Sequence, residues 1–295
     1  MLLECVPNFS EGRRREVVEA IRDAAAQVAG VRILDLEMDS DHNRSVLTFV
    51  GAPDPLGEAA IRSARTAIGS IDLNRHRGQH PRMGAIDVVP FVPLRGASME
   101  DAVSLARRAG ERIGRELEVP VFLYESAATR PERKNLAEIR KPQFEGLRDL
   151  IGSDPTRVPD FGPNRIHPTA GCVAVGARPP LIAYNVDLET ADVAVAKSIA
   201  KHIRERDGGL PGIKALGLSI EARGCAQVSM NVCDFRRTGL LDAFRAVEAE
   251  ARARGVAVRS SEIVGLVPLE ALPPDESTAL KLTGFSREQI IENRL

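Results

Sequence analysis

Tryptophan is absent from the 295 residues, tyrosine occurs twice, and aromatics make up only 4% of the chain. Stacking platforms for single-stranded nucleic acid are therefore scarce. An excess of one charge sign is lacking too. The 40 Lys+Arg stand against 41 Asp+Glu, a formal net charge of −1, so no global field draws the chain to nucleic acid or an anionic membrane. No apolar run approaches the ~20 residues needed to cross a bilayer. The longest, Ile86–Leu94 and Val256–Leu269, are interrupted by charge, Gly or Pro. Four cysteines (Cys5, Cys172, Cys225, Cys233) form no CxxC pair and sit in or beside apolar stretches, which reads as buried reduced thiols, not metal ligands. The opening MLLECVPNFSEGRRR has no basic segment leading into an apolar core, which argues against a secretory leader and makes the cytoplasm the expected compartment. There is no GxSxG elbow, no GxGxxG fingerprint and no Walker lysine.

What remains is an ordinary globular composition, 43% hydrophobic and 27% charged, long enough for about two domains. Periodicity predicts a strand at Leu2–Pro7, a helix at Gly12–Ala29, strands at Val31–Met38 and Arg44–Gly51, a helix at Leu56–Ile71 and a strand at Ile86–Leu94. A helix at Met99–Leu117, a strand at Val119–Tyr124 and a weaker helix at Arg133–Leu150 follow. Gly152–Thr169, rich in Pro, Gly, Asp and Asn, reads as a connector. Beyond it come strands at Gly171–Ala177 and Leu181–Val186, a helix at Thr190–Arg206, strands at Ile213–Ile220 and Ala226–Val232, a helix at Leu240–Gly255 and a strand at Val256–Val267. Short helices at Pro274–Leu282 and Ser286–Asn293 close the list.

Leu2–Leu94 and Leu181–Leu269 thus both spell β-α-β-β-α-β, ending in Phe91-Val92-Pro93-Leu94 and Leu266-Val267-Pro268-Leu269. The expected fold class is α+β, two similar ferredoxin-like βαββαβ subdomains with a groove between them. Their expected extents are residues 1–170 and 171–295.

Three polar clusters interrupt this pattern. Glu37-Met38-Asp39-Ser40-Asp41-His42-Asn43-Arg44 packs carboxylates, a His and an Arg into one turn, which suits a ligand carrying both charge signs. Arg75-His76-Arg77-Gly78-Gln79-His80-Pro81-Arg82 places two histidines in a loop before a strand, and His is the default acid/base group there. His76 and His80 are four apart, but Gly and Pro between and beside them preclude a helical zinc motif, so no metal is expected. Asp160 to Gly171 crowds Gly and Pro in the connector, where backbone approaches a ligand closely.

Taken together, Glu4-Cys5-Val6-Pro7-Asn8-Phe9-Ser10-Glu11-Gly12, Asn43-Arg44-Ser45-Val46, Gly78-Gln79-His80-Pro81-Arg82-Met83-Gly84-Ala85, Asp160-Phe161-Gly162-Pro163, Ala226-Gln227-Val228-Ser229-Met230-Asn231 and Val264-Gly265-Leu266-Val267-Pro268-Leu269 resemble the formiminotransferase family. The resemblance implies transfer of a formimino group from N-formimino-L-glutamate to tetrahydrofolate in histidine breakdown, in a homodimer, by a stand-alone form without the fused cyclodeaminase. It implies His80 as the catalytic residue, and Gly162, Pro163, Asn164, Arg165, Ile166, His167, Pro168, Thr169, Ala170 and Gly171 as the folate-binding stretch. Transfer of a formyl group from N-formyl-L-glutamate, or folate binding without catalysis, are the alternatives.

The reaction needs a near-neutral imidazole, and Arg77 and Arg82 beside His80 are expected to favour its free base. Glu37, Asp39 or Asp41 suits the cationic formimino group, and Arg44 and Arg82 suit the substrate carboxylates. His76 is expected to be a surface loop residue of little consequence. Tetrahydrofolate is the expected co-substrate, with no metal, nucleic acid or membrane partner.

Overall fold

Apolar residues at helical spacing set the first helix, α1 (Arg15–Ala26), which buries Val18, Ile21 and Ala25. The computed structural model describes all 295 residues. Where alternation predicts one opening strand, the chain makes two short ones, β1 (Leu3–Cys5) and β2 (Asn8–Phe9). Pro7 has no N–H to give a ladder, so the strand breaks there. Its carbonyl instead accepts from the Leu47 amide at 3.1 Å.

The hairpin β3 (Val31–Asp39) and β4 (Arg44–Gly51), the helix α2 (Pro53–Ser70) and the strand β5 (Ile86–Pro93) follow. Antiparallel pairing gives the order β3, β4, β1/β2, β5. That is the βαββαβ unit expected in the N half, with β1/β2 in the split position between β4 and β5.

The unit is then extended. Ser98 caps α3 (Met99–Leu117) by accepting from the Asp101 amide while Asp101 accepts from the Ser98 amide, a reciprocal capping box. α3 leads to β6 (Val121–Glu125), and β7 (Val173–Ala177) slots in parallel fashion between β5 and β6. Every residue of β7 is buried, as a parallel strand covered on both faces requires.

This strand moves the division of the chain. Two compact units comprise Met1–Arg178 and Pro179–Leu295, so the expected boundary at 170/171 falls one strand early. The single helix expected over Arg133–Leu150 is two short ones, α4 (Leu136–Arg140) and α5 (Gln143–Leu150). Pro142 stands between them and cannot donate to the ladder of α4.

The second unit runs β8 (Ile182–Leu188), α6 (Val193–Ile203), β9 (Ile213–Ile220), β10 (Cys225–Val232), α7 (Leu240–Ala253) and β11 (Val258–Val264). All its pairings are antiparallel, in the order β11, β8, β10, β9. The split arrangement recurs, which supports a duplicated α/β fold. Asp192 caps α6 through the Ala194 amide (2.8 Å), and Tyr184, fully buried, donates to Ser261 Oγ at 3.0 Å. The short helices expected at the end shrink to a single turn, α8 (Glu276–Ala279), and two 3₁₀ turns. No helix is long and apolar enough to cross a membrane.

Candidate functional site

The turn between β3 and β4 is built by Asp39. Its Oδ1 accepts from the amides of Asp41 (2.9 Å) and His42 (2.8 Å), and its Oδ2 lies 2.6 Å from His42 Nδ1. Asn43 takes the left-handed conformation (φ 50°) that Asn tolerates better than most residues. Its Oδ1 accepts from the Gly12 amide (2.9 Å) and its Nδ2 donates to the Arg77 carbonyl (3.0 Å).

The segment from Asp72 to Ala85 is laid across that hairpin tip. Gln79 donates its amide to the Asp41 carbonyl (3.3 Å). At Gly78 a methyl group would overlap the His42 carbonyl oxygen, so only glycine lets the two backbones pass. As a result the His42 and His80 rings meet edge-on with centroids 6.3 Å apart. Both line one small cavity with Phe9, Arg44 and Asp87.

His76 is not a surface residue. It is 7% exposed, and Arg82 Nε donates to its Nδ1 at 3.2 Å. Because a guanidinium only donates, His76 carries its proton on Nε2 and gives it to the Asn43 carbonyl (2.8 Å). Burial pushes its pKa down, which keeps this neutral tautomer. His76 is a brace between the hairpin tip and Arg82. Arg82, one of the expected carboxylate binders, has both oxygens of Glu145 on its guanidinium, at 2.9 and 2.7 Å. It is committed inside the protein.

His80 is half-buried, and its pKa is lowered to about 4. Burial is the largest cause, followed by the positive charges of Arg44 and Arg140, with Asp87 opposing. The expected neighbours Arg77 and Arg82 are not the source. Arg77 instead donates to the Asn74 and His76 carbonyls. Nor is the imidazole near-neutral as expected: without a ligand it is a firmly unprotonated base.

Arg44 leaves β4 beside Asp39 and donates to Asn8 Oδ1. Arg140, from the end of α4, pairs with buried Asp87 at 2.7 Å. Glu37, on β3, has its pKa raised by burial and by Asp35, with Arg44 opposing. His80, Arg44, Glu37 and Asp39 are thus gathered at one end of the hairpin. No motif singles out Arg140 or Glu145: both lie on short helices, α4 and α5.

The stretch Gly162–Gly171 is sewn to the same segment. Leu73 donates its amide to Thr169 O (2.8 Å), Asn74 Nδ2 donates to Pro168 O (2.9 Å) and Ala85 donates its amide to Ala170 O (2.8 Å). Gly171 has φ 72°, and a methyl there would overlap the Met83 carbonyl oxygen. At the loop's root Asp160 accepts from the Leu123 amide (2.8 Å) and pairs with buried Arg133. His167 faces inward on its own turn, its Nδ1 accepting from the Ala170 amide at 3.0 Å. Arg165, Ile166, His167 and Pro168 line, with Glu118, a cleft of about 500 Å³, the size a small-molecule ligand occupies.

Residues 2–178 match the family described as formiminotransferase domain, N-terminal subdomain, and residues 183–276 match the formiminotransferase domain. Among known proteins, the chain is 45% identical to the glutamate formimidoyltransferase of Streptococcus pyogenes, over 100% of this chain and 98% of that one. It is 47% identical to the glutamate formimidoyltransferase of Thermoplasma acidophilum, over 100% of this chain and 97% of that one. With the formimidoyltransferase-cyclodeaminase of Mus musculus it shares 43% identity over the whole chain, which spans 56% of that protein.

Proposed function

The chain belongs to the formiminotransferase family, and we propose that His80 is the acid–base group with which it moves a formimino group from N-formimino-L-glutamate to tetrahydrofolate. The protein is a one-carbon group transferase, giving 5-formiminotetrahydrofolate and L-glutamate. The observation that carries the role of His80 is its place in one cavity with Arg44 and Asp87, where burial and the charges of Arg44 and Arg140 lower its pKa.

The steps follow from the bonds that change. N5 of tetrahydrofolate adds to the formimino carbon, and as the N5–C bond forms the N5 proton passes to His80. The tetrahedral carbon then expels the glutamate nitrogen, which takes a proton from His80 as the C–N bond breaks. The carbon's oxidation state is unchanged, so no electrons are exchanged with a redox partner. A positioned imidazole of this kind contributes ~10²–10⁴-fold in rate.

Arg44 is assigned to a substrate carboxylate, since its guanidinium fork matches one. Arg82 is left out of that role because Glu145 already holds it. Glu37 faces the same charges and suits the protonated formimino group. Asp39 supports this end of the hairpin through its turn bonds. Gly162–Gly171 is assigned to tetrahydrofolate, on the cleft it lines and its bonds to the His80 segment. Histidine breakdown, the cytoplasm and a homodimer are the setting we infer from the family.

Parallel assays with N-formimino- and N-formyl-L-glutamate, each with tetrahydrofolate, test the reading. Glutamate release from the formimino donor at more than about 10 times the formyl rate supports it. The reverse preference makes this a formyl transferase, and release from neither removes catalysis.

A further inference from the structure

Arg44, in the His80 cavity, and Arg140, whose charge acts on His80, each have one buried nitrogen without a hydrogen-bond partner. Arg44 gives an Nη2 hydrogen to Asn8, and Arg140 Nη2 forms an ion pair with Asp87 Oδ2 at 2.7 Å, an oxygen that has no aligned hydrogen-bond donor of its own. The Nε of both is shielded from solvent and has no hydrogen-bond partner. Buried donors without partners are rare in native proteins, and a pair of them beside an acid–base group marks a place built for an acceptor. Arg140 is held there rather than free to leave: its side chain is 16% exposed and that of Asp87 is 4%.

Charges of both signs meet at this cavity. His80 is faced by Arg44 from β4, Arg140 from α4, Asp87 from β5 and His42 from the hairpin turn. Of these, Asp87 alone brings negative charge. Glu37 and Asp39 also bring carboxylates to Arg44 from β3, Asp39 already bonded to His42 and the turn amides. A carboxylate offers the planar, paired acceptors that guanidinium nitrogens without partners can bind.

We propose that Arg140 joins Arg44 to seat one carboxylate of the donor glutamate beside His80, and that the seated carboxylate is what lets a single imidazole first take and then return a proton. The proposal rests on the function assigned above. Without a ligand, burial and the two guanidiniums hold His80 at about 4, too low to hold the proton it must hand to glutamate. A carboxylate within ~4–6 Å moves such a group upward by about 1–3 pH units, into the range where one imidazole serves as both base and acid. Donor binding thus arms the catalyst, and an acyl-group donor lacking that carboxylate would leave it unarmed.

The test uses the full-length protein, with L-glutamate as the probe of the seat and formiminoglutamate as the donor. Arg140→Gln should raise the donor KM by about 10–100-fold while tetrahydrofolate KM stays within about 2-fold. Because that variant strands Asp87, the Asp87→Asn/Arg140→Gln pair is made as well: its melting temperature should recover while its donor KM does not. In wild type, the His80 ring signal in NMR should titrate near pH 4 and move up by at least about one pH unit in saturating L-glutamate. Arg140→Gln should raise the ligand-free midpoint and abolish most of that further rise. A folded double variant with wild-type donor KM, or a His80 midpoint indifferent to glutamate in wild type, overturns the proposal. Failure of the reading itself looks different: wild type then transfers no formimino group, whatever glutamate does to His80.

Discussion

Acidification should unfold this protein partly through His80, and the size of the effect can be worked out. The imidazole titrates at 6.5 ordinarily and at about 4 in the folded chain. Between those values the unfolded chain binds a proton that the folded one refuses. The stability His80 contributes is therefore complete above about pH 6.5 and is lost as pH falls towards 4. At ~1.4 kcal/mol for each unit of difference, the loss is about 3 kcal/mol, against a total stability of ~5–15 kcal/mol for a typical domain. His76 and His167, both lowered chiefly by burial, act in the same direction. Glu11 and Glu145 are lowered as well. In Glu11, burial opposes and the Arg14 and Arg13 amides prevail; in Glu145 the Arg82 guanidinium dominates. Their stabilisation is present above the usual carboxylate range and disappears at lower pH still. The difference between wild type and His80→Asn isolates the one histidine. With no tryptophan to report, urea unfolding is followed by circular dichroism at pH 7, 6, 5 and 4.5. Wild type should lose about 2–3 kcal/mol more than His80→Asn across that range. Parallel pH curves for the two proteins would refute the assignment of a depressed, buried imidazole.

His76→Ala leaves the Asn43 carbonyl and Arg82 Nε without their partner in a buried site, and should cost about 2–4 kcal/mol in urea unfolding; a loss under about 0.5 kcal/mol would return His76 to the surface. Gly78→Ala forces the hairpin tip away from the His80 segment. Since a misplacement of ~1 Å can cost ~10²-fold in rate, its kcat should drop at least about 10-fold, and unchanged kinetics would show that the crossing does not position the site.

The alternation of β3 and β4 and the helical spacing in α1, α2 and α3 were legible because each buries one face against its sheet. Where the backbone rather than the pattern decides, sequence reasoning slipped. Pro7 splits the first strand, Pro142 splits a helix, and β7 joins the first sheet by a long-range parallel pairing that local periodicity does not encode. The site divides in the same way. His80, Arg44, Glu37 and Asp39 stood out as polar groups packed into turns. Arg140 lies ~60 residues from His80 along the chain and was invisible until α4 brought it to Asp87. Adjacency in sequence pointed to Arg77 and Arg82 as the electrostatic neighbours of His80, whereas the cross-chain arginines Arg44 and Arg140 hold that place.

The most direct test of the central claim is the tetrahydrofolate-dependent rate of glutamate release from formiminoglutamate in wild type and in His80→Ala, measured from pH 5 to 9 on protein whose circular dichroism matches wild type. The account predicts a kcat at least ~10²-fold lower in the variant and loss of the acidic limb of the wild-type profile. A folded His80→Ala protein that keeps most of the rate, with the acidic limb intact, would contradict it.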